Sequence, residues 1–328
     1  MRGKALLKLI GNNKKTSKKG VVGIEVLGDG VSVAKLRTRP TLEVEHAEFL
    51  VAENQQSAIH RLQDFVAAQG LKGAPCNAVL EHEEYSVLLS EAPNVPEEEL
   101  RDAMQWKLRE ISPIPIDQAV VDVFPVPEDA GNVMKGKVFA VVARKESIEK
   151  LTELIESSGL RMNAIDIPEL ALRNLSEKLA MPNRSVVFSQ HLGERTYITA
   201  ICNGNVYLNR SCSLHVEKGV LDPFQVDSLI LELQRSVDYI QHQMMQPTPS
   251  HILLFSTAFK MEEVPEALAS NFSCEVKGLD IAEILPVPAG ADKSTLGKCA
   301  LAVGAALRNV AGTENNSVSE TRRSAEVA

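Results

Sequence analysis

Apolar and polar residues alternate over 21–36 around Gly28-Asp29-Gly30, which predicts a hairpin of two strands, 21–27 and 31–36. A third extended segment covers about 41–50. The period then changes: from Ser57, the residues Ile59, Leu62, Phe65 and Val66 share one face of a helix that ends at Gly70. Short strands are predicted at 77–80 and 85–89. Residues 94–111 read as a helix, with Pro96 in its first turn and Glu97, Glu98 and Glu99 at the positive end of its dipole. Leu100, Ala103, Met104, Leu108 and Ile111 form its apolar stripe. Trp106, the only tryptophan, points away from that stripe, just before Pro113-Ile114-Pro115. It either packs beneath that turn or forms the aromatic wall of a partner groove.

Strands at 120–126 and 137–143 follow, then a helix at 147–157 closed by Gly159, a strand at 161–167 and a helix from Pro168 to about 179. A second region then opens in the same way as the first. Strands at 186–189 and 195–202 lead to an Asn203-Gly204 turn, the strongest hairpin dipeptide of the chain, and a return strand at 205–211. Asp222-Pro223 starts a long helix with Phe224, Val226, Leu229, Ile230, Leu233, Val237, Ile240 and Met244 at three- and four-residue spacing. Strands at 251–255 and 272–276 flank a helix containing 264–269, and an Ala/Gly-rich helix is predicted at 296–309. The two halves repeat with an offset of about 165 residues, Glu25 against Gln190, which predicts two similar α/β lobes facing a crevice.

Charge divides the chain unevenly. The 328 residues carry a formal net charge of −8, but residues 1–20 hold seven basic groups and no acid, leaving −15 on the rest. An acidic body excludes broad nucleic-acid binding. The leader reads either as a solvated tail or as an arm on an anionic membrane surface. It has no signal-peptide pattern, and no run approaches the ~20 apolar residues of a membrane span. Residues 311–328 are polar and aperiodic and are expected to be disordered. Five scattered cysteines form no CxxC or Cys/His ligand set, so free thiols and no metal site are expected. Across the hairpin, Cys202 is expected to face Asn205 and Cys212 to face Arg195, so the two do not pair. His82, among Glu81, Glu83 and Glu84, reads as part of a solvated charge cluster, and His191 as a turn residue.

The order of these features resembles the PilM family of actin-like pilus-assembly proteins, and within it the MshI type of mannose-sensitive haemagglutinin (MSHA) systems. The residues that carry the resemblance are Gly23-Ile24-Glu25-Val26, Trp106 through Pro115 with Val120-Val121-Asp122, Asn203-Gly204, the stretch from Leu231 to Tyr239, and that from Ala302 to Arg308. It implies an α/β, actin-like (ribonuclease H-like) two-lobed fold with an FtsA-like inserted subdomain. The lobes would be 21–180, with the insertion at about 92–165, and 181–310. It further implies a cytoplasmic protein, peripheral at the inner membrane, that binds the N-terminal cytoplasmic peptide of a PilN-like (MshJ-like) partner. That peptide would lie between the first lobe and its insertion, near Trp106, Pro113, Ile114 and Pro115. A homodimer stays open.

The nucleotide elements that the resemblance implies are altered. Glu25 stands where actin-like ATPases place Asp, Leu27 where they place Gly and Ser32 where they place Lys, while Gly28, Asp29 and Gly30 shift the glycines of the turn. In the second lobe Asp-x-Gly becomes Gln190-His191-Leu192, with Gly193 and Thr196 kept. The late Gly-Gly turn is Ser256-Thr257-Ala258. A leucine side chain blocks the close backbone approach that glycine permits, and Gln190 cannot supply negative charge to phosphate-bound Mg²⁺. A vestigial crevice lined by Glu25, Gly28, Asp29, Gly30, Gly193, Thr196 and Ser256 is therefore expected, with no catalytic residue, no metal and no ATP turnover. The alternatives are an ATP-binding actin-like ATPase or kinase and a GspL-like type II secretion component. Chains of the latter kind continue into a transmembrane helix, whereas this sequence ends in a polar tail.

Overall fold

The computed structural model describes residues 20–179, 183–214, 216, 221–256 and 264–308. Strands β1 (Val21–Leu27), β2 (Gly30–Arg37) and β3 (Glu43–Val51) form an antiparallel meander, and α1 (Gln55–Ala68) crosses to β4 (Pro75–Val79), parallel to β1. Asn54 caps α1 by accepting from Ser57 N–H while the Ser57 hydroxyl accepts from the cap backbone. The chain then leaves the sheet for β5 (Tyr85–Glu91), α2 (Glu97–Leu108), β6 (Ala119–Pro125), α3 (Gly131–Met134) and β7 (Lys137–Arg144), whose strands pair as an antiparallel sheet in the order β5-β7-β6. It returns through α4 (Lys145–Ser157) to β8 (Arg161–Asp166), completing the order β3-β2-β1-β4-β8, and then enters α5 (Pro168–Ser176).

The second half repeats this plan. Strands β9 (Val186–Leu192), β10 (Arg195–Cys202) and β11 (Asn205–Ser213), helix α6 (Pro223–His242), strand β12 (His251–Ser256), helix α7 (Val264–Ala269) and strand β13 (Glu275–Gly278) build a sheet in the order β11-β10-β9-β12-β13. The positional order is the same as in the first lobe, three antiparallel strands followed by two parallel ones, so the internal repeat is structural. Asn203 and Gly204 form the expected two-residue turn, both at positive φ. Helices α8 (Ile281–Ile284), α9 (Lys293–Lys298) and α10 (Ala300–Leu307) end the described chain.

Several expectations shift. The insertion begins at Tyr85 and ends at Arg144, not at 92 and 165, because β5 pairs with β7 while β8 pairs with β4 in the main sheet. A register shift between Ala200 and Ile201 places Cys212 opposite Thr196 rather than Arg195; Cys202 does face Asn205, and all five thiols are free. The strand expected at 272–276 is β13, three residues later. The terminal helix is broken at Cys299, whose φ and ψ of −91° and 6° end α9 before α10 starts. Residues 1–19 and 309–328, and with them the expected leader and tail, lie outside the described residues.

Helix α10 belongs to the second half by sequence but packs on the sheet of the first, against β1 and α5. Two glycines allow it. A Cβ on Gly23 would sit 1.8 Å from the Ala302 carbonyl oxygen, and one on Gly304 would sit 2.3 Å from that of Ala171. The carbonyls of a helix's last turn lack partners of their own. Here Asn174 Nδ2 donates to Gly304 O at 2.9 Å and Asn77 Nδ2 to Ala305 O at 2.8 Å, with Asn163 holding Asn77 at 2.7 Å. Beyond them, Arg308 forms a buried ion pair with Asp166 at the end of β8.

Gly23→Ala therefore forces backbone apart and is expected to cost at least about 3 kcal/mol in urea unfolding. Gly28→Ala adds a Cβ that meets nothing within 4 Å and is expected to stay within about 0.5 kcal/mol of the parent. Equal effects of the two substitutions would refute this seating of α10.

Candidate functional site

At the carboxyl ends of β1 and β4 lies a cavity of about 280 Å³, the position where open α/β sheets take ligands. One wall is the β1–β2 turn, with Val26, Leu27, Gly28 and Gly30. A second is the start of α1, with Asn54, Gln55 and Ala58. A third is the end of β4 and the turn after it, with Val79, Leu80, Glu81 and Glu84, and the fourth is α4, with Ser147, Lys150, Leu151 and Leu154. The floor is apolar because the buried stripes of α1 and α4 meet there, through Ala58, Leu151 and Leu154. The rim is charged. Glu84 accepts from the Ser147 hydroxyl and lies 3.8 Å from Arg144, while Lys150 pairs with Glu146 at 2.7 Å. Glu84 immediately precedes β5, so the cavity lies at the junction of the first lobe with its insertion.

The same turn reaches the second lobe. His82 stacks on Tyr197 of β10, ring centroids 3.5 Å apart and planes 7° from parallel, and its Nε2 lies 3.0 Å from Gln190 Oε1 on β9. Its Nδ1 is 3.1 Å from the Tyr85 hydroxyl, which donates to Glu169 Oε2 on α5 at 2.8 Å. Burial pushes the His82 ring down to about 4, so it is neutral at pH 7. Burial raises Glu169 to about 7 against the opposing hydrogen bonds of its own backbone, Tyr85 and Asn209. A second inter-lobe contact runs from the insertion. The Tyr207 hydroxyl donates to Asp129, and Gln246 Nε2 donates to Asp129 O at 3.1 Å.

Of the expected crevice residues, Gly28 and Gly30 line the cavity and the other five do not. Glu25 is buried, its carboxyl pushed up to about 8 by burial and then by nearby Glu81. Gly28 and Asp29 form the exposed tip of the β1–β2 turn; Gly28 and Gly30 line the cavity. Gly193 sits in the β9–β10 turn at φ +59°, and Thr196 is buried with its hydroxyl 3.0 Å from His191 Nδ1. Ser256 ends β12 in register with His191; Thr257 and Ala258 lie outside the described residues. Gln190, the counterpart of Glu25 in the second lobe, is buried against His82.

The other expected site lies elsewhere as well. Ile114 is core, packed with Met104, Leu108, Val121 and Val138 on one face of the inserted sheet, while the opposite face joins the main core through Phe139 and Val141. Helix α2 thus covers the outer side of the insertion. Pro113 and Pro115 are exposed, and Trp106 is 71% exposed, with the Arg109 guanidinium 4.6 Å over its ring. Trp106 does not pack beneath the proline turn, because helical spacing turns it away from Met104 and Leu108. None of the four residues borders the cavity.

Two sequence readings are corrected. His82 is held between two aromatic rings rather than solvated, and His191 is a buried strand residue. The signal was present: only four residues separate the strand end at Leu80 from Tyr85, so the acidic turn is pinned at both ends. Among the described residues, no group of three or more His, Cys, Asp or Glu is placed to hold a metal, and no helix is long and apolar enough to cross a membrane.

The raised carboxyls set a pH dependence. Near pH 4.5 and below, Glu25 and Glu169 are protonated in both folded and unfolded chains. Above it the unfolded chain loses both protons while the fold keeps them, until pH passes about 7 for Glu169 and about 8 for Glu25. Their contribution to stability therefore falls across pH 4.5 to 8, by up to about 1.4 kcal/mol per pH unit for each group. Glu25→Gln and Glu169→Gln are each expected to flatten that slope in thermal melts taken from pH 5 to 8. A slope unchanged in both variants would show that neither carboxyl holds its proton.

No protein-family model matches the chain, and no curated protein sequence does. Solved structures do. A structure described as the PilM–PilN type IV pilus biogenesis complex matches with a TM-score of 0.70 at 18% identity, over 89% of this chain and 98% of that one. The cytoplasmic domain of EpsL, an inner-membrane component of the type II secretion system of Vibrio cholerae, matches with a TM-score of 0.51 at 9% identity, over 86% and 94%. Together with the duplicated sheet order and the sheet inserted after β4, these likenesses give the chain the actin-like, two-lobed fold with an inserted subdomain in its first lobe.

Proposed function

We propose that this protein is a PilM-like, non-catalytic scaffold of a type IV pilus assembly platform, and that it binds the N-terminal cytoplasmic peptide of a PilN-like inner-membrane partner. The observation that carries the reading is an end-to-end likeness to a pilus protein, combined with an inter-lobe contact in which His82 stacks on Tyr197 and lies against Gln190. The crevice chemistry supports the scaffold over the ATPase alternative, since Glu25 and Gln190 stand where a metal-bound phosphate needs ionised carboxylates.

The peptide seat is the cavity between α1, α4 and the Glu81–Glu84 turn, not the surface around Trp106. It lies at the lobe–insertion junction, and its apolar floor with Glu81 and Glu84 on the rim suits an apolar segment that carries a basic residue. Within the family, the sequence resemblance favours an MSHA-type system, with the protein cytoplasmic and peripheral at the inner membrane and its basic leader on the lipid surface. The likeness to EpsL supports a secretion-platform component as a second reading.

Calorimetry of the full chain with a synthetic peptide from the PilN-like (MshJ-like) partner is expected to give saturable binding. A scrambled peptide and Mg-ATP are expected to give no heat, and Leu154→Glu in the cavity is expected to weaken the peptide at least tenfold. Equal binding of the scrambled peptide would sink the partner reading, and micromolar Mg-ATP binding would favour the ATPase.

Removing residues 1–19 is expected to leave the melting temperature unchanged and to reduce co-sedimentation with anionic vesicles. Undiminished co-sedimentation would leave membrane docking to the partner alone.

A further inference from the structure

We propose that the cavity and the inter-lobe clasp form one cooperative device, in which a ligand seated in the cavity and His82 closed on the second lobe favour each other. This rests on the reading of the cavity as a peptide seat. The coupling is carried by the turn that joins β4 to β5. Leu80, Glu81 and Glu84 face the cavity. His82, between them, faces the other way, against Gln190 and Tyr197. Tyr85, next in the chain, is tied to Glu169 on α5. Neighbouring Cα atoms are fixed about 3.8 Å apart, so Glu81 and Glu84 cannot shift appreciably without moving His82.

Each face of the turn therefore sets the other. The Ser147 hydroxyl on the opposite cavity wall donates to Glu84, which links the turn to α4 across the cavity mouth. A ligand lodged between α4 and the turn holds Glu81 and Glu84 in place and so presents His82 to Tyr197. Conversely, the closed clasp orders the cavity wall in advance and removes part of the ordering cost that the ligand meets. Linkage makes the effect reciprocal: whatever factor the clasp adds to ligand affinity, the ligand adds to clasp closure.

Gln190→Ala and Tyr197→Ala test this from the second lobe, where neither residue touches the cavity. With the partner's synthetic peptide and the full chain, each is expected to weaken binding at least about fivefold, while Tyr197→Phe, which keeps the ring stack, binds like the parent. The peptide is expected to slow amide exchange over residues 190–197 by a similar factor. Ala58→Leu, which fills part of the cavity without any ligand, is expected to slow the same amides. Parental peptide affinity in both alanine variants would overturn the coupling. If the peptide does not bind the parent chain, the peptide reading falls and Ala58→Leu decides alone: unchanged exchange over 190–197 then overturns the coupling as well.

Discussion

The architecture depends on how closely α10 approaches β1. A helix normally rests on a sheet through a layer of side chains; here the Ala302 carbonyl lies where a Cβ of residue 23 would be, so backbone meets backbone. Such contact leaves no slack, and the surroundings are built to hold it. Asn77 and Asn174 satisfy the exposed end of the helix from the side, and Arg308 closes it against Asp166. Because α10 comes from the second half of the chain and β1 from the first, this one contact makes the two lobes parts of a single core. The largest hydrophobic cluster accordingly includes residues of both halves, Ile24 and Val303 among them.

Among the further contacts that span the lobes, two groups start from the insertion or its root. His82 and Tyr85 reach β9, β10 and α5, and Asp129 reaches Tyr207 and Gln246. The inserted sheet thus bridges the two lobes as well as decorating the first. A ligand acting at the junction of lobe and insertion acts close to the point where the lobes are clasped.

The chain's alternation and helical periods made most of this fold legible. The two hairpins, the capped α6 and the repeat between Glu25 and Gln190 follow from local residue patterns, because turn chemistry and amphipathic spacing are local physics. What was not legible depended on pairing across distance. Whether residues 85–91 extend the first sheet or start another is decided by β7, some fifty residues away. The place of α10 is decided by Gly23, nearly three hundred residues away. The site was least legible for the same reason. His82 lies in an acidic run that reads as solvated, and the opposing Tyr197 ring and Gln190 amide make it a half-buried, neutral contact. Trp106 drew attention by its rarity, yet helical geometry turns it outward, while the cavity is walled by ordinary residues such as Ala58, Leu151 and Leu154.

The burial of three ionisable side chains bears on what a nucleotide would meet in this protein. A nucleotide bound with Mg²⁺ brings phosphates and a divalent cation, and its site must supply ionised carboxylates and polar backbone at close range. Three side chains of this region, Glu25, Glu169 and His82, are instead pushed toward their neutral forms. Glu25 holds its proton to about pH 8, Glu169 to about pH 7, and His82 stays unprotonated down to about pH 4. Burial is the leading cause in all three cases. The packing that buries these side chains also withholds the ionised carboxylates that a metal-bound phosphate requires.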